Sequence, residues 1–387
     1  MARILIGWEL GANTGHTVKL RDIARELVAR GHQPVFALQQ IAPAPPGHPV
    51  WQAPLWPAQL ATLARTAETA PATLGDILAV LGLDDVAAMR AMLAAWDAIL
   101  AAVRPDLVLA EYAPGLMMAA RGRVPVLSLG TGFSLPPAHL PRFASLTGKP
   151  AAHDEQRLLE GVNAALAANG RQPLDRLPQI FLADREIAAV FREIDPYREW
   201  RRSMHGAPSV MPVPEISDGT GDELFVYMNG LKHWPNGFWQ GILDSGLKAR
   251  VYDPRLIEAD ARTLEAHGMI VERGPVPFDR IVARSRIAMS HGGLGMAASA
   301  LLAGLPTVLV PFDIEKRMVS ASVAEIGLGV RLDFERVDAP RLAAALRETF
   351  HDAALGARAR AAAPGFRARM TRSCEQQTAD TIEEMLG

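Results

Sequence analysis

Two kinds of apolar spacing alternate along this chain. The first is a short unbroken run, "RILIGWEL" at residues 3–10, which reads as a strand buried on both faces. "TVKLRDIARELVARG" follows, with Val18, Leu20, Ile23, Leu27 and Val28 at helical spacing before Gly31, which predicts a helix ended by a glycine cap. "QPVFALQ" supplies a second strand. The three segments make a βαβ unit, whose strands should be parallel and whose crossover should be right-handed. The alternation continues with a helical stripe at Val86, Met89, Leu93, Trp96, Leu100 and Val103, then strands at "PDLVLAE" and "VPVLSLG".

Residues 207–222, "APSVMPVPEISDGTGD", are rich in Pro, Gly and Ser and carry neither periodicity, which is how a linker reads. The chain therefore divides into an N-terminal domain, 1–206, the linker, and a C-terminal domain, 223–387. Beyond the linker the strands "LFVYMNG", "KARVYD", "GMIVERG", "RIAMS", "PTVLVP" and "GVRLD" alternate with helices. The last helix is a candidate to pack back on the first domain. The expected fold class is α/β: two Rossmann-like, open, parallel-sheet domains facing a central cleft, with ligands at the carboxyl ends of the strands.

Composition narrows the function. The 387 residues are 49% apolar and 21% charged, with a net charge of −2, so no basic field draws the chain to nucleic acid or to an anionic membrane. Cys374 is the only cysteine, which excludes an internal disulfide and fits a reducing cytoplasm. "MARILIGWEL" lacks the pattern of a cleaved leader, and the apolar stretch 86–103 is interrupted by Arg90 and Asp97, so neither secretion nor a membrane span is expected. Whether the chain forms a homodimer is left open by its sequence.

The segment richest in chemistry is "MSHGGLGMAASALLAGLPTVLVPFD", 289–313, a strand end, a glycine bend, a helix and a further strand. His291, Gly292, Gly293, Leu294 and Gly295 lie where free backbone N–H groups and the helix dipole favour an anion, and glycines let a pyrophosphate approach the backbone. A tight turn with glycines for geometry alone is the plainer reading. A third reading is the dinucleotide fingerprint, Gly293-x-Gly295-x-x-Ala298, with Asp313 as the ribose-binding acid of an NAD-dependent dehydrogenase. That fingerprint normally opens the first βαβ unit, whereas this one comes late in its domain.

The segment from Ser290 to Leu332 resembles the donor site of inverting glycosyltransferases of the GT-B fold, the UDP-glycosyltransferase-like group that includes antibiotic glycosyltransferases. "GANTGHTVKLRDIARELVARGH" and "VERGPVPFDRIVARS" resemble the same group's glycine-histidine loop and base-binding loop. The resemblance implies that a sugar moves, with inversion and without a metal, from a dTDP- or UDP-sugar to a small-molecule acceptor. No cofactor is implied beyond the nucleotide-sugar co-substrate. It implies His16 as general base, since an imidazole titrates near about 6.5, and Glu111, at the end of its strand, as the carboxylate orienting it. It also implies His291 as the diphosphate contact and Val276 as the residue whose backbone reads the base, while Asn229 and Gly230, in the first loop of the second domain, are candidates to face the same phosphate. Glu315 and Lys316 stand at the sugar-reading pair.

Three departures bear on the donor. Met296 replaces a hydroxyl residue of the bend, and Phe278 a polar one beside Val276. Ser299 stands where UDP-sugar users place a glutamate that accepts from both ribose hydroxyls, which favours a deoxyribose and hence dTDP. Met296, Ser299 and Lys316 together also leave open a non-catalytic helper with a decayed donor site. On the acceptor side Trp51 and Trp56, in a Pro-rich loop, with Met117, Met118 and Phe133, are candidates to line an apolar pocket, although core packing explains such residues equally well.

Overall fold

The structure is a computed structural model describing residues 1–11, 15–41, 44–59, 70–231, 234–235 and 237–387. Part of the glycine-histidine loop, 12–14, lies outside the described residues. The chain forms two compact units, one of Met1–Ala189, Tyr197–Gly206 and Cys374–Gly387, the other of Val190–Pro196 and Ala207–Ser373. Besides the crossing at 206/207, where the sequence places its boundary, the chain passes between units at 189/190, 196/197 and 373/374. The final helix thus belongs to the first unit. Residues 207–222 contain no helix or strand.

In the first unit β1 (Arg3–Trp8), β2 (Gln33–Leu38), β3 (Val50–Gln52), β4 (Leu107–Glu111), β5 (Val126–Gly130), β6 (Arg185–Ala189) and β7 (His205–Gly206) form one sheet in the order β3-β2-β1-β4-β5-β6-β7. All of its pairings are parallel. The helix Gly15–Ala29 buries Leu20, Ile23, Ala24 and Leu27, an i, i+3, i+4, i+7 stripe, against Ile4, Ile6, Phe36 and Leu109. Val18 and Val28 are 42% and 48% exposed, so the predicted stripe is wider than the buried one. Gly31 has φ +83°, the left-handed cap that glycine adopts without strain. Cys374, Ala379 and Ile382 of the helix Cys374–Leu386 join this same core.

The helix Val86–Val103 is long and apolar enough, by length and composition, to cross a membrane. Met89, Met92, Leu93, Trp96, Leu100 and Val103 instead bury its apolar side inside the first unit, while Asp97 pairs with Arg123. It is a core helix.

In the second unit β8 (Glu223–Tyr227), β9 (Ala249–Tyr252), β10 (Ile270–Val271), β11 (Ser285–Ser290), β12 (Thr307–Leu309) and β13 (Gly329–Arg331) form a parallel sheet in the order β10-β9-β8-β11-β12-β13. Its strands send alternate residues to two cores: Leu224, Val226, Ile287 and Met289 to one face, Phe225 and Ala288 to the other. Both sheets reverse their winding beside their first strand, β1/β4 in one and β8/β11 in the other. In doubly wound sheets that reversal opens a crevice at the carboxyl ends of the strands, where ligands bind.

Candidate active site

The first reversal holds the predicted base. Trp8, the last residue of β1, stands in register with Glu111, the last of β4, and His16 enters on the first turn of the helix that follows β1. His16 Nδ1 lies 2.7 Å from Glu111 Oε2. Glu111 is fully buried, and although burial opposes its ionisation, the charges and hydrogen bonds of His16 and Lys19 hold its carboxyl down at about 2. An ionised carboxylate only accepts, so Nδ1 donates, and in the neutral ring the lone pair is then on Nε2.

Two contacts set the plane of the ring. Trp8 stacks on it with centroids 5.3 Å apart and planes 21° from parallel. Gly11, at φ +94°, passes so close that a Cβ there would stand 2.4 Å from Nε2. The glycine admits the imidazole. His16 retains 16% side-chain exposure, so the fixed ring is not fully enclosed by the described residues.

Two charged groups of this region were not read from the sequence. Lys19 Nζ lies 2.8 Å from Glu111 Oε1, with only 7% of its side chain exposed. A lysine on an amphipathic helix usually reads as solvated, but its i+3 spacing from His16 places both on one face and was the available signal. Glu9, immediately after β1, is also fully buried. It accepts from Trp56 Nε1 at 2.8 Å and from the backbone N–H groups of Gly115 and Leu116 at 2.9 and 2.5 Å, at the start of the helix Pro114–Ala120. Burial dominates, pushing its carboxyl up to about 7 against these hydrogen bonds.

The second reversal holds the predicted donor residues. Tyr227 at the end of β8 is in register with Ser290 at the end of β11, so Asn229 and Gly230 and the bend at His291 leave neighbouring strands side by side. Gly292 takes φ +84°, and a Cβ there would stand 2.3 Å from Ser320 Oγ and 3.0 Å from the Lys316 carbonyl oxygen. The helix Leu294–Ala303 begins at Gly293 with no side-chain cap, leaving its first N–H groups for an anion. His291 is buried, and burial, with Lys316 nearby, pushes its imidazole down to about 4. It is therefore neutral near pH 7. Its ring stacks on Phe312 and tilts against Tyr227.

Val276, Phe278 and Met296 pack with Tyr227 and Tyr252 over the core of Phe225, Ile281 and Ala300. The two tyrosines, stacked 5.9 Å apart at the ends of β8 and β9, were not singled out from the sequence. Ser299 is 9% exposed on its helix. Asp313 caps the helix Ile314–Glu325 by accepting from Lys316 N at 2.9 Å, and its other oxygen pairs with Lys316 Nζ. Lys316 also lies 4.8 Å over the Phe312 ring, and Glu315 is half-buried on the same turn. This arrangement counts against the dehydrogenase: the carboxylate that would bind ribose is engaged, and the fingerprint follows β11, not β8, the first strand of its sheet.

The acceptor candidates are corrected by the structure. Trp56 is fully buried with its indole N–H given to Glu9, and Met117, Met118 and Phe133 are interior residues at 1%, 3% and 7% exposure. Trp51 is not in a loop but on β3, paired with Ala37. It borders a cavity of about 550 Å³ with Arg3, Gln33 and His48, toward the amino ends of the strands and away from His16. Apolar side chains in this part of the chain were needed to fill the core before any could line a pocket.

Comparison with known proteins bears on the fold. Residues 259–385 match the family model described as erythromycin biosynthesis protein CIII-like, C-terminal domain. The calicheamicin glycosyltransferase CalG4 superposes with a TM-score of 0.72 at 19% identity, covering 100% of this chain and 98% of that one. The fold is GT-B. The GT-B chain is also similar to the sterol 3-beta-glucosyltransferase of Kluyveromyces lactis, 33% identical over 107 residues, which are 28% of this chain and 8% of that enzyme. The NDP-glycosyltransferase YjiC of Bacillus subtilis is 29% identical over 143 residues, 36% of this chain and 34% of that one. The chain thus spans about a third or less of these curated relatives.

Proposed function

We propose that this GT-B chain is a metal-independent, inverting glycosyltransferase that moves a sugar from a dTDP- or UDP-sugar to a hydroxyl of a small-molecule acceptor, in the cytoplasm. His16 Nε2 takes the acceptor's proton as its oxygen forms a bond to the anomeric carbon. The bond from that carbon to the diphosphate oxygen breaks on the opposite face, and the nucleoside diphosphate leaves with the electron pair. The N–H groups at the start of the helix Leu294–Ala303 and the neutral His291 ring receive the leaving charge.

The observation that carries this reading is the 2.7 Å contact of His16 Nδ1 with a buried, ionised Glu111, which in the neutral ring puts the lone pair on the other nitrogen. An intact base argues against a decayed helper. Three further points support the reading: the switch-point positions of both residue sets, the match over 259–385, and the name NDP-glycosyltransferase carried by the Bacillus relative. Ser299 cannot rebuild a two-hydroxyl ribose contact, which supports dTDP over UDP.

The test combines thermal shift with transfer assays. dTDP or UDP should raise the melting temperature by mass action, and His16→Ala should lower kcat about 1,000-fold or more while leaving nucleotide affinity within about twofold. A response to NAD alone, or undiminished transfer by His16→Ala, refutes the proposal.

A further inference from the structure

Glu111 is bonded on both oxygens, and only one of its partners is the base. Lys19 holds Oε1 at 2.8 Å while His16 holds Oε2 at 2.7 Å, in surroundings where Glu111 is fully buried and Lys19 nearly so. The lysine emerges from the helix Gly15–Ala29 beside Leu20 and Ile23, on the face packed against the sheet core, an expensive place for a charge unless it balances another.

Resting on the proposed function, we propose that Lys19 is a positioning residue that sets the working pH of the base: by neutralising Glu111 it keeps His16 unprotonated at neutral pH. The charge count gives the reason. A buried carboxylate with imidazole as its only partner is compensated only when the ring takes up a proton, so it would hold His16 as imidazolium, unable to act as a base. With Lys19 in place, carboxylate and ammonium already sum to zero and the neutral ring leaves nothing unbalanced. Glu111 still fixes the tautomer and ring plane, because the Nδ1–H bond does not require the imidazolium.

The other titratable groups nearby do not take this role. Cys374, on the helix packed beside Gly15–Ala29, feels both Lys19 and Glu111 but is a buried thiol pushed up to about 12, and so carries no charge at pH 7. Glu375, next to it, and Tyr112, after β4, are buried, and neither a carboxyl nor a phenol can supply a positive charge. Glu9 accepts from Trp56, Gly115 and Leu116.

The experiment compares Lys19→Met, Lys19→Gln and Lys19→Arg with the wild type by the pH dependence of kcat/KM and by NMR titration of the His16 ring in ligand-free protein, its signal assigned by its loss in His16→Ala. Removing a unit charge across one carboxylate should move the acid limb of the profile up by about one to two pH units, with the NMR curve moving equally. Lys19→Arg should restore both. Lys19→Gln can donate to Glu111 without a charge, and it carries the comparison if Lys19→Met does not fold.

A merely structural lysine would lower kcat/KM at every pH without moving the limb. An unmoved limb and an unmoved NMR curve in Lys19→Gln therefore overturn the proposal. A moved NMR curve in a chain that transfers no sugar upholds the coupling and overturns the proposed function instead.

Discussion

Replacing Glu9 by glutamine should remove a pH dependence of stability from the first unit. The Glu9 carboxyl, fully buried, is raised from 4.5 to about 7. A group bound more tightly to its proton in the folded state contributes stability that is fully present below about pH 4.5 and lost as pH rises through about 7. The contribution amounts to about 3 kcal/mol. Glu111, also fully buried, runs the other way: lowered to about 2, its contribution is present above about pH 4.5 and lost as pH falls through about 2. The two carboxyls follow or end adjacent strands, β1 and β4, yet their effects on stability meet between pH 4 and 5. Glu9→Gln cannot ionise, so native-state hydrogen exchange of the β1 and β4 amides in urea should show the wild type losing about 3 kcal/mol relative to the variant between pH 4.5 and 8. Parallel curves would refute the reasoning. They would mean that the Trp56, Gly115 and Leu116 donors keep Glu9 ionised throughout, and that burial does not govern it.

Two glycines test the proposed base and the proposed donor bend separately. Gly11→Ala introduces a Cβ 2.4 Å from His16 Nε2 at φ +94°, and should lower kcat/KM about 100-fold by displacing the ring while nucleotide binding persists. Unchanged turnover would show that the ring does not work from this position. Gly292→Ala places a Cβ 2.3 Å from Ser320 Oγ at φ +84°. It should weaken dTDP or UDP binding tenfold or more, about 1.4 kcal/mol, by calorimetry, at a stability cost of about 1 to 3 kcal/mol. Unaltered affinity would remove the bend from the donor site.

What could be read in the sequence depended on whether one residue's neighbours in the chain were also its neighbours in space. Strands such as β1, β4, β8 and β11 announce themselves because both faces are buried and the apolar run is unbroken. β3 does not, since its Val-Trp-Gln is short, half exposed, on the sheet edge and close to prolines, and β6 opens on Arg185, which is exposed. The pairing of His16 with Glu111 was legible through motif and strand-end position, 95 residues apart. Trp56 and Met117 were misleading for a physical reason: a buried ring and a pocket-lining ring share the same apolar chemistry, and only long-range packing separates them.

Lys19 and Glu9 show the same limit in charged form. Each is a single ionisable residue in a plain helical or loop context, and its importance comes entirely from a partner dozens of residues away. Glu111 is bonded to the first, and the opening N–H groups of the helix Pro114–Ala120 to the second. The region around β1 and β4 thus contains two buried acids of opposite habit. One is kept ionised by the Lys19 ammonium and by the hydrogen bond from His16; the other is driven toward neutrality by burial where it secures a helix start. Exchanging their surroundings would exchange their protonation, because nothing in glutamate itself distinguishes them.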